Sequence, residues 1–183
     1  MTVLPLRIAP DPVLRQKAKR VKVIDASIRR LAEDMVDTMH HHEGVGLAAN
    51  QVGVLKRVIT IGMPEERVRV LINPEIIKRE GEREVEEGCL SVPEYRGLIT
   101  RSIWVRAKAL ELEGKEVRIK ADGLLAQALE HEIDHLNGIL YIDHLKRHED
   151  LWKLEPEEQA TADVAGHEGV WATEPEPAPV ASP

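Results

Sequence analysis

Phenylalanine is absent from this chain of 183 residues, and aromatic side chains are limited to three Trp and two Tyr. The core must therefore be aliphatic, built from Leu, Ile, Val and Ala. A single cysteine, Cys89, excludes an intramolecular disulfide, so the fold does not depend on oxidation. No run of about 18 apolar residues occurs, which excludes a helical membrane span. The first ten residues, M-T-V-L-P-L-R-I-A-P, lack a charged region followed by an apolar stretch. No signal peptide is expected, and the cytoplasm is the expected compartment. Lys and Arg are missing from residues 155–183, which carry Glu155, Glu157, Glu158, Asp163, Glu168, Glu174 and Glu176. Without those seven acids the chain has 25 acidic and 25 basic residues, so the net charge of −7 belongs to the tail. No DNA-binding surface is expected.

What is present is the composition of a soluble globular protein, 43% hydrophobic and 31% charged. The length suits one domain. We expect a catalytic domain over residues 1–154 and an acidic, Pro/Ala-rich, disordered tail over 155–183. Five prolines, small residues and acids leave that tail too little apolar surface to order itself. Trp171 is its one large apolar residue, read as solvated.

The chemistry concentrates in Leu124 to Gly138, L-L-A-Q-A-L-E-H-E-I-D-H-L-N-G. Residues four apart on a helix lie on one face. His131 and His135 can therefore grip one metal ion, and Glu132 can reach a water beside it. Asp122 is a plausible N-cap, and Asn137-Gly138 a plausible stop. Leu124 and Ala128 continue the same face as His131 and His135.

Asp25 to His42 is the clearest other helix, with Ile28, Leu31, Met35 and Met39 as its buried stripe and Asp25 or Ser27 as its cap. Pro12 to Arg20 suits a short helix. Lys17, Lys19, Arg20 and Lys22 read as a solvated face, and His40, His41 and His42 as a polar helix end. Gly44 to Gly53 reads as a small-residue loop that a ligand can approach closely. Strands are expected at Lys56 to Gly62, Arg67 to Ile72 and Glu75 to Arg79, with Asn73-Pro74 as a turn. Glu80 to Glu87 reads as an exposed acidic hairpin. Ser102 to Leu112, with Ile103, Val105, Ala107 and Ala109 on one face, pairs with Glu116 to Lys120 across Glu113-Gly114-Lys115. A strand-like Ile139 to Ile142 and a short final helix through Trp152 close the domain.

Two histidines leave a tetrahedral metal short of ligands, and a catalytic site keeps one position open. Candidates for the third are His40 to His42, His144, His148, His167, a carboxylate and Cys89. A thiolate is a strong ligand for a borderline metal, which ranks Cys89 first.

In chain order, G-V-G-L-A-A-N-Q, E-G-C-L-S and H-E-I-D-H resemble the three motifs of the peptide deformylases, with the similarity running over roughly residues 4 to 150. The resemblance implies a hydrolase that removes the N-formyl group from the starting methionine of new proteins. It implies an α+β fold with antiparallel and mixed sheets around a central metal helix. It implies one divalent ion held by Cys89, His131 and His135, ferrous iron first, with zinc, nickel or cobalt able to replace it. Glu132 would be the acid/base, with the Gln51 amide and the Leu90 backbone N–H as oxyanion donors. The peptide would bind beside Val45, Gly46 and Gly88, with Leu124 and Ala128 lining the methionine pocket. Glu87 is expected to brace its loop. Formyl-Met nascent chains are the implied partners, with a transient ribosome contact. One departure is Glu130, where the family usually has Gln; position 130 turns away from the metal face. Three rivals remain in view. A zinc metallopeptidase shares His-Glu-x-x-His, a cysteine hydrolase would use Cys89 as nucleophile, and a binding protein would close the metal in a structural site.

Overall fold

Two antiparallel sheets and two helices make up the fold, seen in a computed structural model that describes residues 2–64 and 66–155. The N-terminal strap carries a short 3-10 turn, Pro12–Arg15, where a longer helix was expected; Gln16 is already extended. Helix α1 spans Ala26–His41, and the Asp25 carboxylate caps it by accepting from the N–H groups of Ser27 and Ile28. The anticipated stripe is buried at Ile28, Met35 and Met39, with Leu31 partly buried.

Five strands follow: β1 Gly46–Ala48, β2 Val58–Ile61, β3 Arg69–Glu80, β4 Arg83–Cys89 and β5 Val92–Arg101. Then come β6 Trp104–Leu110, β7 Glu116–Asp122, helix α2 Gly123–Leu136 and a short β8 Leu151–Lys153. The larger sheet has the order β1-β2-β3-β6-β7 and the smaller β4-β5-β8. Every strand pairing is antiparallel, and the one parallel contact among the described residues is the Lys19–Lys56 bridge.

The residues of β2 show how the sheet is layered. Val58 joins Met35, Met39, Leu47 and Ile72 on one face, whereas Ile59 and Ile61 join Leu129 and Ile133 on the other. All four β2 residues are buried, as a strand covered on both faces requires. Helix α2 thus lies against one face of the larger sheet, and α1 against the other.

Four expectations need correction. Asn73-Pro74 is no turn: β3 runs straight through it, with register shifts on either side of Glu75–Ile76. Asn73 adopts φ 52° there, and its amide clasps the backbone of Val21 as both donor and acceptor. Pro74 is tolerated because it sits in an irregularity where no ladder N–H is needed. Glu80 to Glu87 is not a hairpin either. It is the crossover into the second sheet, where β4 pairs with β5, a strand the sequence reading did not assign. Ile103 is half-exposed outside β6, leaving Val105, Ala107 and Ala109 as the inner face. The final segment forms two 3-10 turns, Tyr141–His144 and His148–Asp150, before β8, in place of a strand and a helix. The expectations for the tail lie outside the described residues, Glu155 excepted.

Candidate metal centre

Helix α2 begins at Asp122, which occupies the N-cap position without a side-chain cap bond. It ends at Asn137, and Gly138 turns the chain at φ 77°. A side chain at Gly138 would press the Arg15 carbonyl, so this position needs glycine twice over. On α2, His131 and His135 project together, with their Nε2 atoms 3.2 Å apart. Strand β4 brings Cys89 to them, its Sγ 3.1 Å from His135 Nε2. The three ligand atoms all lie within 4.8 Å of one another.

This arrangement fits a small divalent cation. Sulfur and nitrogen at about 2.3 and 2.0–2.1 Å from a tetrahedral ion stand roughly 3.3–3.6 Å apart. Burial opposes ionisation of Cys89, but the charges and hydrogen bonds of His135 and His131 outweigh it and hold the thiol well below its usual range. The Ser91 N–H donates to the sulfur at 3.3 Å, which also favours the thiolate. His131 responds in the opposite sense: burial disfavours its cation, yet Cys89 and Glu87 together raise its pKa well above the usual value. A field that favours a cation at His131 also favours a dication beside it.

Further contacts fix these side chains. Glu87 is buried and accepts from His131 Nδ1 at 2.8 Å, so Nε2 is the nitrogen left for a metal. Burial pushes the Glu87 carboxyl up, but the His131 and Arg101 contacts prevail and bring it down to about 2. Glu132 is 4% exposed, and its Oε2 has no hydrogen-bond partner among the described residues. Burial pushes its carboxyl up to about 7, against the pull of His131 and His135. An orphaned carboxylate oxygen beside a Cys-His-His cluster suits a site that holds an ion and a water. Gly46 explains itself here, since a Cβ at that position would come within 2.9 Å of Glu132 Cγ and Cδ.

Gln51 is anchored in a 3-10 turn, Ala49–Val52, after β1. Its Oε1 accepts the Ala48 N–H at 2.8 Å, which aims Nε2 at Ser91 Oγ (3.2 Å) and Cys89 Sγ (3.6 Å). An open cavity of about 650 Å³ is lined by Val45, Gly46, Gln51, Gly88, Cys89, Leu90, Leu124, Ala128, His131 and Glu132. His135, fully buried, stands behind it. His42 and Glu43 reach the rim, while His40 and His41 stay exposed outside it. His144 and His148 belong to the closing turns and contribute no atom to the Cys-His-His group. Glu130 faces away from the cavity. It accepts from the Ser102 N–H, Ser102 Oγ and Arg79, so its charge is neutralised at the sheet.

The sequence profile of the polypeptide deformylases matches residues 3–150. The chain belongs to that family. A peptide deformylase of Dehalococcoides mccartyi is 51% identical over 156 residues, covering 85% of this chain and 93% of that protein. The crystal structure of a peptide deformylase from Legionella pneumophila superposes with a TM-score of 0.76 at 40% identity, covering 90% of this chain and 94% of that one. A peptide deformylase of Acinetobacter baumannii, solved with Met-Ala-Ser bound, gives 0.76 at 36% identity over 79% of this chain and 99% of that one.

Residues that sequence reasoning passed over surround this centre. Arg101, from the end of β5, forks onto Glu87 through Nε (2.7 Å) and Nη2 (3.0 Å). Its Nη1 reaches Asp134 at 2.6 Å. Asp134 sits inside the H-E-I-D-H stretch and was a readable signal. Arg101 was not, because it lies 30 residues from His131 in sequence and only β5 brings it there.

Proposed function

We infer that this chain hydrolyses the formamide bond of N-terminal formyl-methionine in newly made proteins, releasing formate and a free amino terminus. The observation that carries this reading is the open cavity in which the Cys-His-His group and the Glu132 carboxylate meet, in a member of the deformylase family.

Cys89, His131 and His135 are the proposed ligands of one divalent ion. A thiolate with two imidazoles suits ferrous iron, and equally zinc, nickel or cobalt; we take ferrous iron as the resident ion. When bound, the ion supplies a hydroxide near neutral pH and a Lewis acid for the carbonyl. Glu132 accepts the proton of the attacking water and hands it to the departing amine nitrogen. The Gln51 amide and the Leu90 backbone N–H donate to the formyl oxygen as charge builds there. Glu87 holds His131 in the tautomer that presents Nε2.

The substrate backbone is proposed to lie between two sheet edges. Strand β1 ends one sheet and β4 ends the other, and Val45, Gly46 and Gly88 line the cavity between them. An extended peptide can add to such an edge. Leu124 and Ala128, which line the cavity, are proposed to receive the methionine side chain. We assign catalysis to residues 1–154 and the cytoplasm as its compartment. A transient ribosome contact is proposed alongside, since the proposed substrates are nascent chains. No helix among the described residues is long and apolar enough to cross a membrane.

The test is formate release from formyl-Met peptides by anaerobically purified protein, with casein cleavage run beside it. Chelator-sensitive formate release with intact casein supports the reading. Casein cleavage would favour a metallopeptidase, and chelator-resistant turnover a cysteine hydrolase.

A further inference from the structure

We propose that His144 is a positioning residue for the His131 ligand, acting through Asp134, Arg101 and Glu87; the inference rests on the metal-hydrolase reading above. His144 lies outside every motif, at the end of the 3-10 turn Tyr141–His144. Its side chain is 35% exposed, and its Nε2 lies 2.8 Å from Asp134 Oδ2. Arg101 Nη1 approaches the same Nε2 at 3.5 Å. A guanidinium has only donors, and the carboxylate only acceptors. The 2.8 Å contact is the shorter and decides the tautomer: His144 Nε2 carries a hydrogen and donates it to Asp134, and Arg101 Nη1 at 3.5 Å is a neighbour rather than a donor to it.

From there the links are short and alternate in charge. Asp134 accepts from Arg101 at 2.6 Å, Arg101 forks onto Glu87 at 2.7 and 3.0 Å, and Glu87 accepts from His131 at 2.8 Å. Arg101 and Glu87 have side chains only 4% and 3% exposed, so the fork is shielded from water. Asp134 shares its Oδ2 between His144 and Arg101. Without His144 that oxygen is left to Arg101 alone. The guanidinium is then drawn toward Asp134, its grip on Glu87 loosens, and the bond that orients the His131 ring slackens. The same turn touches the ligand a second way: the Tyr141 ring stacks near His131, with centroids 6.4 Å apart and 24° between planes. The turn therefore buttresses one metal ligand both directly and through the chain of bonds.

Cobalt titration of the metal-free protein tests this in wild type, His144→Ala and His144→Gln, read by the thiolate-to-metal absorption band. Thermal melts of the three metal-free proteins and formate-release kinetics accompany it. A glutamine amide nitrogen can replace the Nε2 donor. The expectation is a roughly tenfold weaker cobalt Kd for His144→Ala, the lower end of the effect of outer ligand-orienting partners. KM for the formyl-Met peptide should hold, and His144→Gln should return to the wild-type Kd. The proposal is overturned if His144→Ala binds cobalt as wild type does. It is equally overturned if His144→Gln stays as weak as His144→Ala, or if a lowered metal-free Tm is the sole change. Failure of wild type itself to develop the band would instead strike the Cys89 ligation on which the inference stands.

Discussion

His131 Nδ1 and the Glu87 carboxylate lie 2.8 Å apart, and the carboxylate is in turn gripped on both oxygens by Arg101. One face of the His131 ring is thereby committed to the protein and the other to the cluster. Glu87 cannot swing away without abandoning a buried guanidinium. Glu87, expected from the sequence to brace its loop, contacts the proposed ligand His131 directly.

Removing that brace should be felt first in metal affinity. Glu87→Gln is expected to weaken binding of the divalent ion by about 10- to 100-fold, the usual range for partners of a ligating histidine. Competition with a chromophoric chelator measures it, and an affinity within twofold of wild type would argue that Glu87 does not orient His131.

Acid should destabilise the metal-free protein through the same residue. The Glu87 carboxyl is ordinarily near 4.5 and is held at about 2 in the fold. A depressed acid contributes stability that is complete above its unfolded pKa and is lost as pH falls through the folded one. The window is therefore pH 4.5 down to 2, over which roughly 3 kcal/mol should disappear. Asp134, also lowered because His144 and Arg101 outweigh its burial, adds to the loss. Denaturant melts across that range should show a shallower slope for Glu87→Gln than for wild type.

The proposed role of Glu132 predicts that binding and chemistry can be separated. Glu132→Gln should keep its metal, one ion per chain by elemental analysis, yet lose about 10²–10⁴ in kcat. Full turnover in that variant would remove Glu132 from the mechanism.

Gly46 tests how tightly Glu132 is placed. A methyl at position 46 would overlap the Glu132 side chain, and a displacement of about 1 Å can cost about 10²-fold in rate. Gly46→Ala should therefore lower kcat with metal content unchanged. An unaltered kcat would mean that Glu132 has room to adjust.

Gln51→Ala should cost about 10²–10³ in kcat/KM, as the loss of one oxyanion donor does. A loss below about threefold would reassign Gln51 to support of the Ser91–Cys89 loop, which its Nε2 also contacts.

The sequence by itself determined the amphipathic periods, the capped first helix, the hairpin at Glu113–Lys115, and a His pair four residues apart beside Glu132. These are local facts, fixed by backbone geometry over a few residues. It also carried three short motifs specific enough to point to a family. It misjudged Asn73-Pro74, because a turn dipeptide was held as an irregularity within β3 by distant partners at Val21. It took Glu80 to Glu87 for exposed, because nothing nearby in the chain announces the Arg101 that buries Glu87. Only the tertiary structure decided which sheet β4 joins, and therefore that Cys89 meets the two imidazoles. Only it brought His144, Asp134 and Arg101 into one line ending at His131. Pairings of that kind depend on contacts between residues tens of positions apart, and no window of the sequence contains both ends.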